Sequence, residues 1–183
     1  NIETRFRATF VPSFTEIEGQ YLTEIEEISV SSDSYSYDDY KSIRTIGMLC
    51  YAMSGVGLYR RIFQFLIKKG IKPSYVWDRM IETIYRDKKF QVGEKFFFDF
   101  IEESTNELFD SKEEAIRSAK LQGDKPQRLN TLFAARLIYE EKWLSDWFRQ
   151  EFRERFGEDQ VIFEDLLDIC ESEWIDPYDP GRQ

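Results

Sequence analysis

Few residues in this sequence have the types and spacing that chemistry needs, and a missing type narrows the choice most. The 183 residues contain no histidine. That removes Ser-His-Asp and Cys-His nucleophilic chemistry and His-based metal sites from the chain. The carboxylate pairs Glu26-Glu27, Glu102-Glu103, Glu113-Glu114 and Glu140-Glu141 have the residue type of a di-metal carboxylate centre. That architecture also uses Glu-x-x-His motifs, so the pairs read instead as solvated faces. Gly55-Val56-Gly57 precedes a helical pattern but lacks GxGxxG spacing and a preceding strand, which makes it a turn between helices and not a phosphate loop. Cys50 and Cys170 lie far apart on apolar stripes, the pattern of reduced, buried thiols in a cytoplasmic protein. Arg5 and Arg7 alternate with aromatics and could stack bases. However, 25 Lys and Arg against 35 Asp and Glu give a net charge of −10, which repels phosphate backbones and anionic lipid heads. No nucleic acid or membrane partner is expected, and no catalytic, cofactor-binding or metal-binding residue is assigned. Tyr40 and Arg44 resist a purely structural reading, because they share one helix face beside an apolar stripe.

The elements that must position these residues begin with a ribbon. Thr4 to Val11 alternates Phe6, Ala8 and Phe10 against Arg5, Arg7 and Thr9, the period of a half-buried strand with its arginines outward. Pro12 and Gly19 punctuate a turn, and Tyr21 to Ser32 holds a second strand with Ile28 and Val30 on one side. Two strands alone are marginal, so the ribbon needs helices or another domain against it. Ser36 then caps a helix, with Asp39 reaching back as in a shortened capping box. Ile43, Ile46, Gly47, Cys50 and Met53 are expected to form its buried stripe, residues 54 to 57 to break it, and Leu58, Ile62, Phe65 and Leu66 to form the stripe of a second helix closed by Gly70.

Beyond this hairpin, Ser74 opens a helix carrying Val76, Trp77, Met80, Ile81 and Ile84, ending in the basic residues 86 to 89. Phe90 to Phe109 reads as a helix with Glu94, Glu102, Glu103 and Glu107 on its exposed face. Ser111 and Glu114 form another capping box, and residues 124 to 126 break the chain. Gln127 to Phe156 reads as one long helix with Trp143 and Trp147 on one face, ended by Gly157. A last helix carries Val161, Phe163, Leu166, Leu167 and Cys170, with Trp174-Ile175 docking the tail. The expected fold is mainly α, six to seven helices with a small N-terminal β-ribbon, organised as residues 1–35 (the ribbon and a connection to an upstream domain) and residues 36–183 (the helical domain). No apolar run approaches the roughly 20 residues that span a bilayer. The first residue is Asn1 in mid-pattern, which reads as a processed or excised chain.

As an ordered series, Phe6-Arg7, Glu24 to Ile28, Ser36, Asp39-Tyr40, Arg44, Gly55, Phe65-Leu66 and Gly70-Ile71 resemble the segment that follows the catalytic barrel in cobalamin-dependent radical SAM proteins. That group includes proteins like the anaerobic Mg-protoporphyrin IX monomethyl ester cyclases. The family's CxxxCxxC motif and upstream cobalamin-binding domain are absent from this sequence. The resemblance therefore implies a non-catalytic C-terminal region of an iron-sulfur oxidoreductase, which packs on the barrel and helps shape substrate access. It implies no cofactor in this chain itself, and an iron-sulfur cluster, S-adenosylmethionine and cobalamin in the parent protein. The partners it implies are the upstream radical SAM and cobalamin-binding domains of the same polypeptide, with Arg5, Arg7, Tyr40 and Arg44 as candidate domain-facing residues. The competing expectation is a stand-alone helical protein-protein interaction module.

Overall fold

The computed structural model describes residues 1–9, 15–17, 20–22, 24–86, 91–122, 129–139 and 143–173. Four strands come first: β1 (Ile2–Ala8), β2 (Thr15–Ile17), β3 (Gln20–Leu22) and β4 (Ile25–Ser32). The alternating Arg5-Phe6-Arg7-Ala8 run pairs antiparallel with β4, Arg5 opposite Ile28 and Arg7 opposite Glu26, with an irregularity between Glu3 and Thr4. β2 and β3 make a separate antiparallel pair, so the single strand expected over Tyr21 to Ser32 is divided. Phe10, Pro12 and Gly19 lie outside the described residues.

Eight α-helices follow among the described residues: α1 (Tyr37–Cys50), α2 (Arg60–Lys68), α3 (Pro73–Arg86), α4 (Gln91–Asn106), α5 (Lys112–Gln122), α6 (Leu129–Tyr139), α7 (Trp143–Glu151) and α8 (Gln160–Glu173). The fold is thus mainly helical with a small N-terminal ribbon, as the periodicities predict. The pattern expected as one helix over Gln127 to Phe156 is described as α6 and α7, and residues 140–142 between them lie outside the described residues. α7 also stops at Glu151, before Gly157, and the turn after it holds Glu154 at φ 56°.

The chain divides into two compact units, Asn1–Gly47 with Phe98–Leu132, and Met48–Phe97 with Phe133–Gln183. In the first, the free edge of β1 is taken up by Phe109: the Phe6 N–H donates to the Phe109 carbonyl at 2.9 Å and the Phe109 N–H returns the bond at 2.8 Å. α5 lies along β1 and touches β4. The start of α1 is fixed as expected. The Ser36 N–H donates to Asp39 Oδ2 at 2.8 Å, and the Asp39 N–H donates to Ser36 Oγ at 3.1 Å, satisfying donors that a helix N-terminus leaves open.

The apolar stripe expected on α1 is misplaced. Ile43 is 59% exposed, Gly47 is exposed, and Ile46 and Cys50 are only half-buried, whereas Tyr40, Thr45, Met48 and Leu49 are buried. Tyr40, Met48 and Leu49 carry far more apolar area than Gly47 and Cys50, so burial selects the face that bears them. The helix also continues past Ser54 as a π-helical turn, Tyr51–Val56, and ends only at Gly57, whose φ of 87° is left-handed.

The second unit is an aromatic core. Leu58, Ile62, Phe65 and Leu66 are buried as the second stripe predicts, and α2 packs on α8 and α3. Phe65 meets Phe156 and Phe163 at centroid distances of 5.0 and 5.8 Å. Trp143 and Trp147 are both buried in this core, Trp143 against Phe96 and Phe97, and Trp147 against Phe148 and Phe152. Val161, expected on the buried stripe of α8, is 67% exposed, while Phe163, Leu167 and Cys170 are buried. Trp174 and Ile175 lie outside the described residues.

Candidate functional site

Three of the four residues singled out in the sequence converge in the first unit. β1 carries Arg7, whose Nη2 donates to Glu26 Oε2 at 2.8 Å across the hairpin. α1 carries Tyr40 and, one turn on, Arg44. The Arg44 guanidinium lies over the Phe100 ring, 5.4 Å from its centroid, and its Nη2 donates to Ser104 Oγ at 3.3 Å. Its Nε is buried and has no hydrogen-bond partner among the described residues. Arg5 is placed elsewhere, on the surface between Glu3 (2.9 Å) and Asp110 (3.1 Å).

Glu107, just past the end of α4, is the fourth member of the cluster. The acidic pattern places it on an exposed face of that helix, and it is half-buried instead. Phe100, Ser104 and Glu107 follow one another at four- and three-residue spacing, so they share the face that meets Arg44. That spacing was present in the sequence, masked by the neighbouring Glu102 and Glu103, which are exposed.

The four groups are close enough to perturb one another. Burial pushes the Tyr40 phenol up, opposed chiefly by the Arg44 and Arg7 guanidiniums. Burial lowers the affinity of Arg44 for its proton, with Tyr40 opposing that effect and Arg7 adding to it. Burial raises the Glu107 carboxyl, and Arg7 and Arg44 pull it back down. Tyr40, Arg44 and Glu107 have thus lost water. Neither the Tyr40 hydroxyl nor the Glu107 carboxylate makes a side-chain hydrogen bond among the described residues. A planar cationic fork, a phenol and a carboxylate can recognise a polar group.

Neither cysteine is joined in a disulfide among the described residues. Cys170 is buried, but Cys50 is partly exposed because it lies off the buried face of α1, and burial still raises its thiol. One thiol on α1 and one on α8 do not make the closely placed thiolates an iron-sulfur cluster takes. Among the described residues no group of three or more metal-ligating side chains could hold an ion, and no helix is long and apolar enough to cross a membrane. No family model, curated protein or solved structure matches the chain.

Proposed function

We propose that this chain is a non-catalytic accessory domain that follows a radical SAM catalytic barrel and packs on it through the β1–β4 hairpin, helping to shape substrate access. The iron-sulfur cluster, S-adenosylmethionine and cobalamin belong, on this reading, to the upstream domains of the same cytoplasmic polypeptide. The observation that supports it is the incomplete cover of the hairpin. Along β1 and β4 only Ala8 and Val30 are buried, Ile2 is 72% exposed, and Phe6 is half-buried although its backbone is paired on both edges. A two-stranded ribbon with so little burial gains from a second surface.

Hydrogen exchange on the 183-residue chain and on the polypeptide extended upstream tests this. Amides of β1 and β4 are expected to exchange much more slowly in the longer protein, while α2 and α8 are unchanged. Equal protection of β1 and β4 in both would overturn the reading. The exposed apolar residues of α8, Val161, Ile162 and Ile169 at 67, 49 and 41%, favour a second reading as a helical protein-interaction module. In that case a protein partner protects α8 and leaves the hairpin unchanged.

A further inference from the structure

We propose that the Arg7, Tyr40, Arg44 and Glu107 cluster is a binding site for a carboxylate, gripped by the Arg44 guanidinium with the Tyr40 hydroxyl and Arg7 at its flanks. The inference goes beyond the accessory-domain reading and does not depend on it. Arg44 is held in place before any ligand arrives. The Phe100 ring lies against the guanidinium on one side, 5.4 Å from its Cζ, and Ser104, itself buried, takes one Nη2 bond at 3.3 Å. A guanidinium has five N–H donors, and removing it from water is costly unless they are satisfied. Here one long bond is made to protein, and the buried Nε makes none among the described residues.

The acids nearby do not supply the missing partner. Glu26 is committed to Arg7 at 2.8 Å, and Glu107 interacts with Arg44 through its charge without a hydrogen bond to it. Tyr40 is 7% exposed, and its hydroxyl also makes no hydrogen bond among the described residues. A carboxylate satisfies a planar fork and a phenol together, with two coplanar oxygens and lone pairs to spare. A phosphate dianion offers the same oxygens but carries twice the charge toward Glu26 and Glu107, so the mono-anion fits better. Glu107 competes with the ligand for the same field. Burial raises its carboxyl, while Arg7 and Arg44 pull it down.

The test is an acetate titration of the whole 15N-labelled chain at constant ionic strength made up with chloride, following the Arg44 Nε–Hε resonance, with phosphate in parallel. Acetate is expected to shift that resonance saturably and phosphate to bind more weakly. Arg44→Lys keeps the charge and loses the fork, and should weaken acetate by about tenfold. Glu107→Gln should tighten it by about three- to tenfold, the effect of removing one nearby like charge. The Gln variant is isosteric and keeps the question decidable if the Lys variant does not fold. No saturable shift in the parent chain would overturn the proposal, as would unchanged affinity in folded Arg44→Lys. Weaker acetate binding in Glu107→Gln, or phosphate binding as tight as acetate, would do the same, the latter marking the cluster as a general anion trap.

Discussion

Phe163 on α8 should be one of the costliest side chains in the second unit to remove. It is fully buried, and three rings surround it: Phe65 at 5.8 Å, Phe152 at 5.7 Å and Phe156 at 5.1 Å between centroids. Truncating a buried phenylalanine to alanine costs about 3–5 kcal/mol, and ring pairs contribute about 0.5–1.5 kcal/mol each beyond area burial. Three such pairs put Phe163→Ala in the upper half of that range. At about 2–4 °C per kcal/mol for a chain of this size, a loss of 4 kcal/mol lowers the melting temperature by about 8–16 °C. Phe163→Leu keeps most of the volume and should cost less than about 1.5 kcal/mol. Val161, two residues away and 67% exposed, supplies the control, because Val161→Ala should stay within about 0.5 kcal/mol. Urea titration by tryptophan fluorescence and by far-UV circular dichroism measures all three, with the slope checked for constancy. A cost below about 1 kcal/mol for Phe163→Ala, or equal costs at 161 and 163, would refute this orientation of α8.

Two glycines should respond oppositely to alanine. Gly57 has φ 87° and a Cβ there would lie 3.0 Å from Arg60 Nη2, so Gly57→Ala should cost about 1–2 kcal/mol in the same titration, mainly from the left-handed backbone. A Cβ at Gly47, inside α1, would meet nothing within 4 Å, and Gly47→Ala should stabilise by about 0.5–1 kcal/mol. The Ser36 N–H and hydroxyl hold the Asp39 carboxyl below its ordinary range. A lowered folded value means that the charge stabilises above the unfolded pKa of about 3.9 and loses this effect as pH falls through the folded value. The stability difference between the parent chain and Asp39→Asn should therefore be constant at neutral pH and shrink in acid melts. A difference that grows in acid would contradict the cap geometry.

What was legible in the sequence was whatever a local rule decides. Ser36 and Asp39 meet as a capping pair, β1 follows from two-residue alternation, and Leu58, Ile62, Phe65 and Leu66 are buried together. Periodicity does not decide burial where two faces of one helix compete. On α1 a stripe of Ile43, Gly47 and Cys50 satisfies the helical period as well as Tyr40, Met48 and Leu49 do, and only the area each face can bury separates them. Val161 fits a periodic stripe in the same way and is exposed. Glu107 is the instructive case for function. A carboxylate on an acidic helix is normally solvated, so its charge alone gives no reason to set it apart from Glu102 and Glu103. Its place is decided by Phe100 and Ser104, which are buried on the same side, and by Arg7 and Arg44, which arrive from β1 and α1. An acid that shares a helix face with a buried aromatic and a buried serine is held half out of water by that face. The cation that comes to meet it is remote in sequence, which is why the cluster is only half visible before the chain folds.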